Sequence, residues 1–372
     1  MAYSIFLSDA VGPIYRKGIF QKLDQNHNVT FLFGLSNSTV KSIADSDLKN
    51  ISRKPKIKVF GKWYWQQGIF SNVFGSKKDV DILGGELFSL SNWIVLSLNY
   101  LFFKPKNIVL WSHGWYGRES NAKKFIKKIY FGMACKSLFY GEYAKRQMQI
   151  AGSNVENVDV IHNSLDYYAQ KPLRKVAMHS NIIRNHFNND YPTIIFIGRL
   201  TKSKKLHLLL HAANILNQKG IQVNILIIGN GEDEECLKDI SRQYNLNTWF
   251  YGPSYDEEIN AQLLAQSDLC VSPGNVGLTA IHSMMFGTPV ITHSNFANQG
   301  PEFEAIISDK TGAFFEEEDV QSLADTISNW LNSKSDRAAI RQACYAEIDN
   351  NWNPDFQIRI IEKNISHILK KK

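Results

Sequence analysis

Cysteine is scarce in this chain of 372 residues, which holds four copies, at Cys135, Cys236, Cys270 and Cys344. None has the spacing of a metal ligand, so the set argues against a zinc module and a disulfide framework and indicates reduced thiols. The first residues also lack the basic segment and the long apolar core of a signal peptide. We therefore expect a cytoplasmic protein.

Long hydrophobic runs are missing as well. The most apolar region, Leu87 to Phe103, is interrupted by serine or asparagine at five positions. A membrane span needs about 20 mostly apolar residues. The region therefore predicts a buried helix rather than a membrane crossing.

The excess of positive charge is modest, since 42 Lys and Arg residues stand against 35 Asp and Glu, a net charge of +7. The sequence has no zinc spacing, RNP-like strand or basic helix with heptads, so we expect no nucleic-acid partner. Residues 122–132 combine an apolar stripe with Lys123, Lys124, Lys127 and Lys128. This pattern predicts either peripheral contact with an anionic membrane surface or a solvated helix face.

The stretch from Asp268 to Thr292 organises the second half of the chain, and it predicts a strand, a tight loop, a helix and a second strand. A glycine-rich loop that leads into a helix directs backbone N–H groups at one point, and the helix dipole adds partial positive charge. The stretch is therefore either a diphosphate site or an ordinary strand-to-helix connection.

The same stretch resembles the donor-binding segment of family 4 glycosyltransferases, which are retaining, nucleotide-sugar-dependent enzymes of the GT-B fold. Gly277-Leu278 and Gly287-Thr-Pro-Val290 match the pattern of that family. The two glutamates of the pattern do not match, because their positions hold Gly274 and His282.

The resemblance implies an α/β chain of GT-B fold, with two Rossmann-like domains facing a central cleft. It assigns residues 1–175 to an acceptor-binding domain and residues 176–350 to a nucleotide-sugar-binding domain. Residues 351–372 would form a C-terminal helix that crosses back to the first domain. The polar stretch from Tyr167 to Asp190 is the predicted linker.

Three residues are expected to be catalytic. The segment from Gly198 resembles the family's Gly-Arg-Leu-x-x-x-Lys-Gly motif, so Arg199 and Lys204 would hold the donor diphosphate, and Lys205 is the alternative to Lys204. Positive charge there stabilises the leaving group, so we expect no metal and no other cofactor. His113 follows a predicted strand and resembles the family's active-site histidine, since ligands bind at the carboxyl ends of strands in open α/β sheets.

Further donor contacts are implied by the resemblance alone. They comprise glycines in loops, two residues near the base, a carboxylate, and the segment in which Gly274 and His282 replace the two glutamates of the family pattern. These residues are Gly12, Gly229, Gly231, Pro253, Tyr255, Glu304 with Glu302 as its rival, Gly274, Asn275, Val276, Gly277, Leu278, and His282 beside the ribose. Because Gly274 has no side chain, the backbone N–H groups of Asn275, Val276 and Gly277, or water, would hold the sugar hydroxyls.

The expected function is the transfer of a sugar from a nucleotide-sugar donor to a glycan or lipid-linked glycan acceptor, with retention, in surface polysaccharide biosynthesis. Gly274 has no side chain to hold a sugar hydroxyl, which favours a deoxy sugar or a donor that needs extra room. A sugar-nucleotide epimerase of the same fold is one alternative. A non-catalytic binding subunit is another, because both glutamates are replaced.

Overall fold

A computed structural model describes residues 2–35, 41–102, 107–333 and 336–370. These residues divide into two compact units, one made of Met1–Asp166 with Asn353–Lys372 and the other of Tyr167–Trp352. Each unit carries its own parallel sheet covered by helices, which is the α/β arrangement of the Rossmann-like domains expected of the GT-B fold.

The described residues form fourteen strands, which are β1 Ser4–Asp9, β2 Asn28–Leu35, β3 Ile51–Phe60, β4 Trp63–Gln66, β5 Val80–Gly84, β6 Ile108–Ser112, β7 Lys136–Phe139, β8 Val158–Val160, β9 Thr193–Ile197, β10 Asn224–Ile228, β11 Thr248–Gly252, β12 Leu269–Ser272, β13 Val290–His293 and β14 Gly312–Phe315.

The same residues form fifteen α-helices, which are α1 Lys17–Asn26, α2 Ile69–Gly75, α3 Leu90–Leu101, α4 Asn121–Gly132, α5 Glu142–Ile150, α6 Tyr167–Gln170, α7 Leu173–Ala177, α8 Ile182–Phe187, α9 Leu206–Gln218, α10 Glu234–Gln243, α11 Glu257–Gln266, α12 Thr279–Met285, α13 Val320–Ser333, α14 Arg337–Asn351 and α15 Pro354–Lys370.

In the first unit the sheet order, over the described residues, is β4-β3-β2-β1-β5-β6-β7-β8. Its strands are parallel except for β4, which pairs antiparallel with β3. Strands β1, β5 and β6 are buried on both faces because helices cover both sides of a parallel sheet. The carboxyl ends of these central strands lie at one edge, and the polar residues that follow them meet there.

Helix α15 packs on the first unit. Its residues Ile358, Ile361 and Ile365 belong to the same apolar cluster as Ile19 and Phe20 of α1. The helix therefore returns to the unit that the N-terminal half of the chain builds, and the burial of its apolar stripe accounts for this position.

The apolar region that begins at Leu87 forms α3, which starts at Leu90 after the side chain of Ser89 accepts the Asn92 N–H. This capping bond ends the preceding loop and fixes the helix start. The predicted end of the region, Phe103, lies outside the described residues. Within the described part of the chain, no helix is long and apolar enough to cross a membrane.

In the second unit the described residues form a parallel sheet with the order β11-β10-β9-β12-β13-β14. The order reverses at β9, where β10 lies on one side and β12 on the other. Such a switch point opens a crevice at the carboxyl ends of the strands. The loops after β9, β10 and β12 are therefore the ones that the fold brings together.

The predicted linker is corrected by the structure. Helices α6, α7 and α8 occupy most of it and pack on the second unit. Gln170 donates to Glu257 Oε1 at 2.9 Å, and Arg174 donates from Nε to the carbonyl of Met285 at 2.8 Å and from Nη1 to Asp349 at 2.9 Å. The division between the units accordingly falls after Asp166, before the predicted boundary at 175.

Candidate functional site in two units

The loops after β9, β10 and β12 are joined by backbone hydrogen bonds in the second unit. The N–H of Leu200 donates to the carbonyl of Asn230 at 2.9 Å, and the N–H of Gly274 donates to the carbonyl of Lys204 at 3.0 Å. These bonds bring together the segments that carry the predicted diphosphate ligands. We call the cluster formed by these three loops the donor cluster.

Glycine is required in the donor cluster because the backbones approach too closely for a side chain. A Cβ atom at Gly229 would lie 1.8 Å from the carbonyl oxygen of Gly198, and one at Gly231 would lie 2.1 Å from that of Leu200. Both glycines therefore pack the loop after β10 against the Gly198–Leu200 backbone, which explains the Gly-Asn-Gly sequence.

The two predicted cations lie in this cluster. Lys204 is half-buried and donates from Nζ to the carbonyl of Asn275, whereas Arg199 is exposed. Burial is the main cause that lowers the pKa of Lys204, and the positive charge of Arg199 lowers it further. The two side chains therefore concentrate positive charge beside the glycine loops, where an anion would relieve their repulsion.

Lys205 does not share this environment. Its Nζ contacts Glu317 Oε1 at 3.2 Å and also pairs with Glu318 at 2.5 Å. Its φ of 51° is in the left-handed region, where the resembling motif has glycine. The exchange of roles between Lys204 and Lys205 is therefore disfavoured, because Lys205 is engaged by two carboxylates while Lys204 lies in the donor cluster.

Gly274 does not open space for a donor, which corrects the expectation from its missing side chain. A Cβ atom here would lie 2.1 Å from the carbonyl oxygen of Ser203 and 2.9 Å from the Cα atom of Lys204. A glutamate could not occupy this position without moving the turn that carries Lys204. The glycine that replaces the family's glutamate thus lies where the backbones of two loops are in close contact.

The backbone after Gly274 is partly engaged within the protein. The N–H of Val276 donates to Gln299 Oε1 at 2.9 Å, and the Asn275 side chain donates to the carbonyl of Asn298 at 3.1 Å. The expectation that the Val276 N–H holds a sugar hydroxyl is therefore corrected, because that donor already has a partner. Gly277, with a φ of 52°, and Leu278 follow and lead into α12.

Glu302, the rival to Glu304, is the carboxylate that the structure places in the field of Lys204. Its negative charge opposes the lowering of the Lys204 pKa. Glu302 is buried, and a Cβ atom at Gly300 would lie 2.8 Å from Glu302 Oε2 and 3.3 Å from the Cα atom of Gly277. Glu304 is half-buried and lies two residues further along the same short 3₁₀ turn, Pro301–Ala305.

His282 meets a carboxylate that the sequence pattern did not reveal. Its Nε2 lies 2.8 Å from Glu257 Oε1, at the start of α11. Burial tends to raise the pKa of Glu257, but the hydrogen bond and charge of His282 outweigh it and lower this pKa. His282 stands where the family has a glutamate, and α11 supplies a carboxylate beside it.

Pro253 and Tyr255 follow β11 and are exposed, Tyr255 to 81%. The carbonyl of Gly252, just before them, accepts the N–H of Gly229 at 2.9 Å. This bond ties the start of the predicted base-binding loop to the donor cluster. Both predicted residues are accessible to a ligand.

A cavity of about 410 Å³ lies within the first unit, at the carboxyl ends of β1, β5, β6 and β7. We call it the first-unit cavity. Its lining combines charged and aromatic side chains, among them Asp9, Arg16, Glu86, Phe88, Trp111, His113, Tyr116 and Tyr140. The volume is in the range of sites for small molecules.

Gly12 shapes the edge of this region rather than lining the cavity. Its φ is 64°, and a Cβ atom would lie 2.4 Å from the ring of Phe33. The loop is fixed by Asp9, whose Oδ1 accepts the N–H groups of Val11 and Gly12 at 2.9 Å each and whose Oδ2 pairs with Arg16 at 2.6 Å. Packing against Phe33 therefore explains why glycine stands at this position.

His113 lies on the cavity wall, with its ring 4.8 Å from the ring of Tyr140 and stacked on Tyr116 at 6.3 Å. Part of its surface is open, but the surrounding protein lowers its pKa to about 4, helped by the charges of Arg16 and Lys127. His113 is therefore neutral at pH 7 and has a ring nitrogen able to accept a proton or a hydrogen bond.

The loop that carries His113 is held by a buried ion pair. Lys127 Nζ lies 2.6 Å from Glu119 Oε1 and donates to the carbonyl of Gly114 at 2.7 Å. Glu119 in turn accepts the N–H groups of Tyr116 and Gly117 at 2.9 Å each. Lys127 is thus buried, which corrects its assignment to the basic outer face of α4.

The sequence contains two Asp-x-Asp triplets, Asp45-Ser-Asp47 and Asp79-Val-Asp81, whose aspartates interact with neighbouring protein groups. In the first, Arg53 contacts Asp45 at 2.6 Å and Lys17 contacts Asp47 at 2.7 Å. In the second, Asp79 accepts the N–H of Ser4 at 2.8 Å. Among the residues that the structure describes, no three histidine, cysteine or acidic side chains form a group able to hold a metal ion.

Sequence reasoning missed Asp9, Arg16, Glu86 and Glu257. Asp9 ends β1, and Glu86 comes two residues after β5. The rule that ligands bind at the carboxyl ends of parallel strands was a signal for both of them. Glu257 had no such signal, because its nearness to His282 depends on how α11 packs.

Comparison with known proteins adds a family match for the second unit. Residues 179–347 match the family model described as glycosyl transferases group 1. The capsular polysaccharide biosynthesis glycosyltransferase CapM of Staphylococcus aureus is 23% identical over 204 residues, 49% of this chain and 48% of that protein. The chain spans about half the length, or less, of the curated relatives it matches first.

Two solved structures resemble the whole chain. Anabaena Alr3699/HepE in complex with UDP has a TM-score of 0.74 at 16% identity, covering 98% of this chain and 100% of that one. A glycosyltransferase from Rickettsia africae has a TM-score of 0.73 at 17% identity, with both chains covered completely. These likenesses show the GT-B fold.

Proposed function

We propose that the protein transfers a sugar from a nucleotide-sugar donor to a glycan acceptor in polysaccharide biosynthesis. The observation that carries the proposal is the donor cluster, which lies inside the segment matching glycosyl transferases group 1. There Lys204 and Arg199 concentrate positive charge beside glycine loops that meet at a switch point of the sheet.

In this proposal the donor diphosphate occupies the donor cluster, and Arg199 and Lys204 bind its oxygens. A nucleoside diphosphate gains negative charge as it leaves, so cations placed beforehand stabilise the transition state more than the ground state. The Anabaena structures contain UDP or UDP-glucose, which supports a nucleotide-sugar as the ligand here. His282, oriented by Glu257, is proposed to hold a ribose hydroxyl, and Pro253 and Tyr255 to contact the base.

The first unit is proposed to bind the acceptor in the first-unit cavity. His113 is neutral at pH 7 and faces this cavity, so it is placed to accept a hydrogen bond from an acceptor hydroxyl. Retention of the anomeric configuration, a hexosyl or deoxyhexosyl donor and activity without a metal ion or other cofactor also belong to the proposal.

A membrane setting is a further part of the proposal. On α4, Phe125 is 65% exposed and Ile129 is 43% exposed, next to the exposed Lys123 and Lys128. Exposed apolar residues flanked by lysines are the composition of a helix that lies on an anionic surface. A lipid-linked acceptor at the cytoplasmic face of a membrane would place the enzyme there.

The proposal is tested by substituting the two cations. We expect Arg199→Ala and Lys204→Met each to lower the rate of sugar transfer by about 100-fold, the scale for losing one preorganised charge-stabilising group. Lys202→Met is the matched control, because Lys202 is exposed on the same turn. Wild-type transfer rates in both cluster variants, with the fold intact, would refute the assignment of the diphosphate site.

A further inference from the structure

Glu86 lies in the first unit, two residues after β5, and its side chain lines the first-unit cavity. The backbone around it is anchored on both sides. Its N–H donates to the carbonyl of Gly84 at 2.9 Å, and its carbonyl accepts from the hydroxyl of Tyr130 at 3.3 Å. The position of the residue is therefore fixed before any ligand binds.

The carboxyl group of Glu86 is also oriented. The hydroxyl of Tyr64, on β4, donates to Glu86 Oε2 at 2.7 Å. Tyr64 lies outside the loop that carries Glu86, so this hydrogen bond holds the Glu86 side chain in one orientation. A carboxyl group held in one direction at a cavity wall is suited to bind a specific group of a ligand.

The pKa of Glu86 is raised, mainly because the carboxyl group is buried. Burial raises the pKa of Glu86, and the carboxylate of Asp9 raises it further, against the opposing effects of Lys56, Tyr64 and Arg16. Arg16 is itself paired with Asp9 at 2.6 Å. A carboxyl group accepts a hydrogen bond from a sugar hydroxyl in either protonation state, and its protonated form also donates one.

The rest of the wall fits a sugar ring better than a phosphate. Phe88 and Tyr116 are half-buried aromatic side chains on the wall, and the C–H face of a pyranose can pack against them. Behind them Trp111 and Tyr140 are buried, with the Arg16 guanidinium over their rings.

The lining holds two basic side chains, Arg16 and Lys123, and two acidic ones, Asp9 and Glu86, and Arg16 is paired with Asp9 at 2.6 Å. Acidic groups thus stand beside the cations here, whereas the donor cluster brings Arg199 and Lys204 together.

We propose that Glu86 is an acceptor-binding residue, whose carboxyl group hydrogen-bonds a hydroxyl group of a neutral acceptor saccharide seated on the aromatic wall of the first-unit cavity. This inference rests on the proposed glycosyl transfer. Tyr64 is a positioning residue in it, because it acts on the acceptor through Glu86. The pair would select acceptors that carry a hydroxyl group at the contacted ring position.

The experiment measures transfer from nucleotide sugars to octyl glucoside, octyl galactoside and octyl N-acetylglucosaminide. With the pair of substrates that the wild-type protein uses best, Glu86→Ala should raise the acceptor KM about tenfold, the loss of roughly one hydrogen bond. Hydrolysis of the donor without acceptor should stay within about twofold, because the donor cluster is untouched. Glu86→Gln keeps the shape and the hydrogen-bonding groups and should stay within about threefold of the wild-type acceptor KM.

Two further variants separate binding from folding. Tyr64→Phe should raise the acceptor KM about threefold, with thermal unfolding close to wild type, since only the orienting bond is lost. Glu142→Ala is the control, because Glu142 is exposed at the start of α5, outside the cavity lining. It should leave the acceptor KM unchanged.

The inference is overturned by a wild-type acceptor KM in Glu86→Ala, or by a loss of donor hydrolysis equal to the loss of transfer. It is also overturned if Glu86→Gln raises the acceptor KM as much as Glu86→Ala, since a side chain of the same shape with hydrogen-bonding groups would then not maintain the contact. If the wild-type protein neither hydrolyses a donor nor transfers from it, the proposed function falls together with the inference. Donor turnover with an unaffected Glu86→Ala rejects the inference alone.

Discussion

Replacing Lys127 by methionine should destabilise the first unit strongly, although the sequence pattern of α4 predicts that this lysine lies on a basic outer face. The side chains of Lys127 and Glu119 are 6% and 1% exposed, and their charged atoms are 2.6 Å apart. Removing one partner of a buried pair leaves the other charge without compensation, which typically costs about 3–5 kcal/mol. For a unit of this size, that corresponds to a fall in Tm of roughly 6–20 °C.

Thermal unfolding of the full chain, followed by circular dichroism, measures this effect. Lys124→Met is the matched control, because it makes the same change three residues earlier on α4 at a less buried position, where surface substitutions usually change stability by about 0.5 kcal/mol or less. The double variant Lys127→Met with Glu119→Gln should recover much of the loss, since no uncompensated charge remains. A Tm for Lys127→Met equal to that of Lys124→Met would refute the buried pair.

The pH dependence gives an independent check on the same pair. Burial opposes ionisation of Glu119, but the hydrogen bonds from Lys127 and from the Tyr116 N–H outweigh it and lower its pKa in the folded state. The stabilisation is therefore complete above the unfolded pKa of a glutamate and is lost as the pH falls through the lowered value. Glu119→Gln should remove this acid-range slope, and an unchanged slope would contradict the assignment.

Three other predictions concern ligands. His282→Ala should raise the donor KM several-fold and change kcat less, because a ribose contact is similar in ground and transition states; steady-state kinetics with a normal KM would remove His282 from the site. Sedimentation with anionic vesicles should show salt-sensitive binding that falls when Lys123, Lys124 and Lys128 are neutralised together and also when Phe125 is replaced by serine; unchanged binding would leave α4 as a solvated face. Transfer should persist in EDTA, and a full loss that Mg²⁺ or Mn²⁺ restores would contradict the proposed metal independence.

The fold was predicted from the resemblance to family 4 glycosyltransferases, and the motifs that carry this resemblance are local. Apolar strands followed by glycine loops and amphipathic helices recur along the chain, and the structure has the two parallel sheets that this pattern favours. The place of Lys204 was predictable for the same reason, since it lies on the turn that follows β9. Motif spacing thus located the segments that the fold brings together.

Other features of the site depend on tertiary packing, which no local sequence pattern predicts. The four lysines of α4 look alike in the sequence, yet Lys127 is buried because Glu119 lies on a loop that folds back to it. Gly274 suggested open space, but the space is filled by the Ser203 carbonyl. Glu257 reaches His282 across 25 residues of sequence. The contacts of Gly274 and His282 join elements that are distant along the chain, whereas that of Lys127 joins a helix to the loop just before it.

The most direct test of the central claim is the release of nucleoside diphosphate from a panel of UDP-, GDP- and TDP-sugars, measured with wild-type protein and with Lys204→Met. We predict that at least one sugar nucleotide is turned over with an octyl glycoside present, that the sugar appears on the acceptor, and that Lys204→Met lowers the rate by about 100-fold while the fold remains intact. Absence of turnover across the panel, or equal rates in the two proteins, would contradict the proposed sugar transfer.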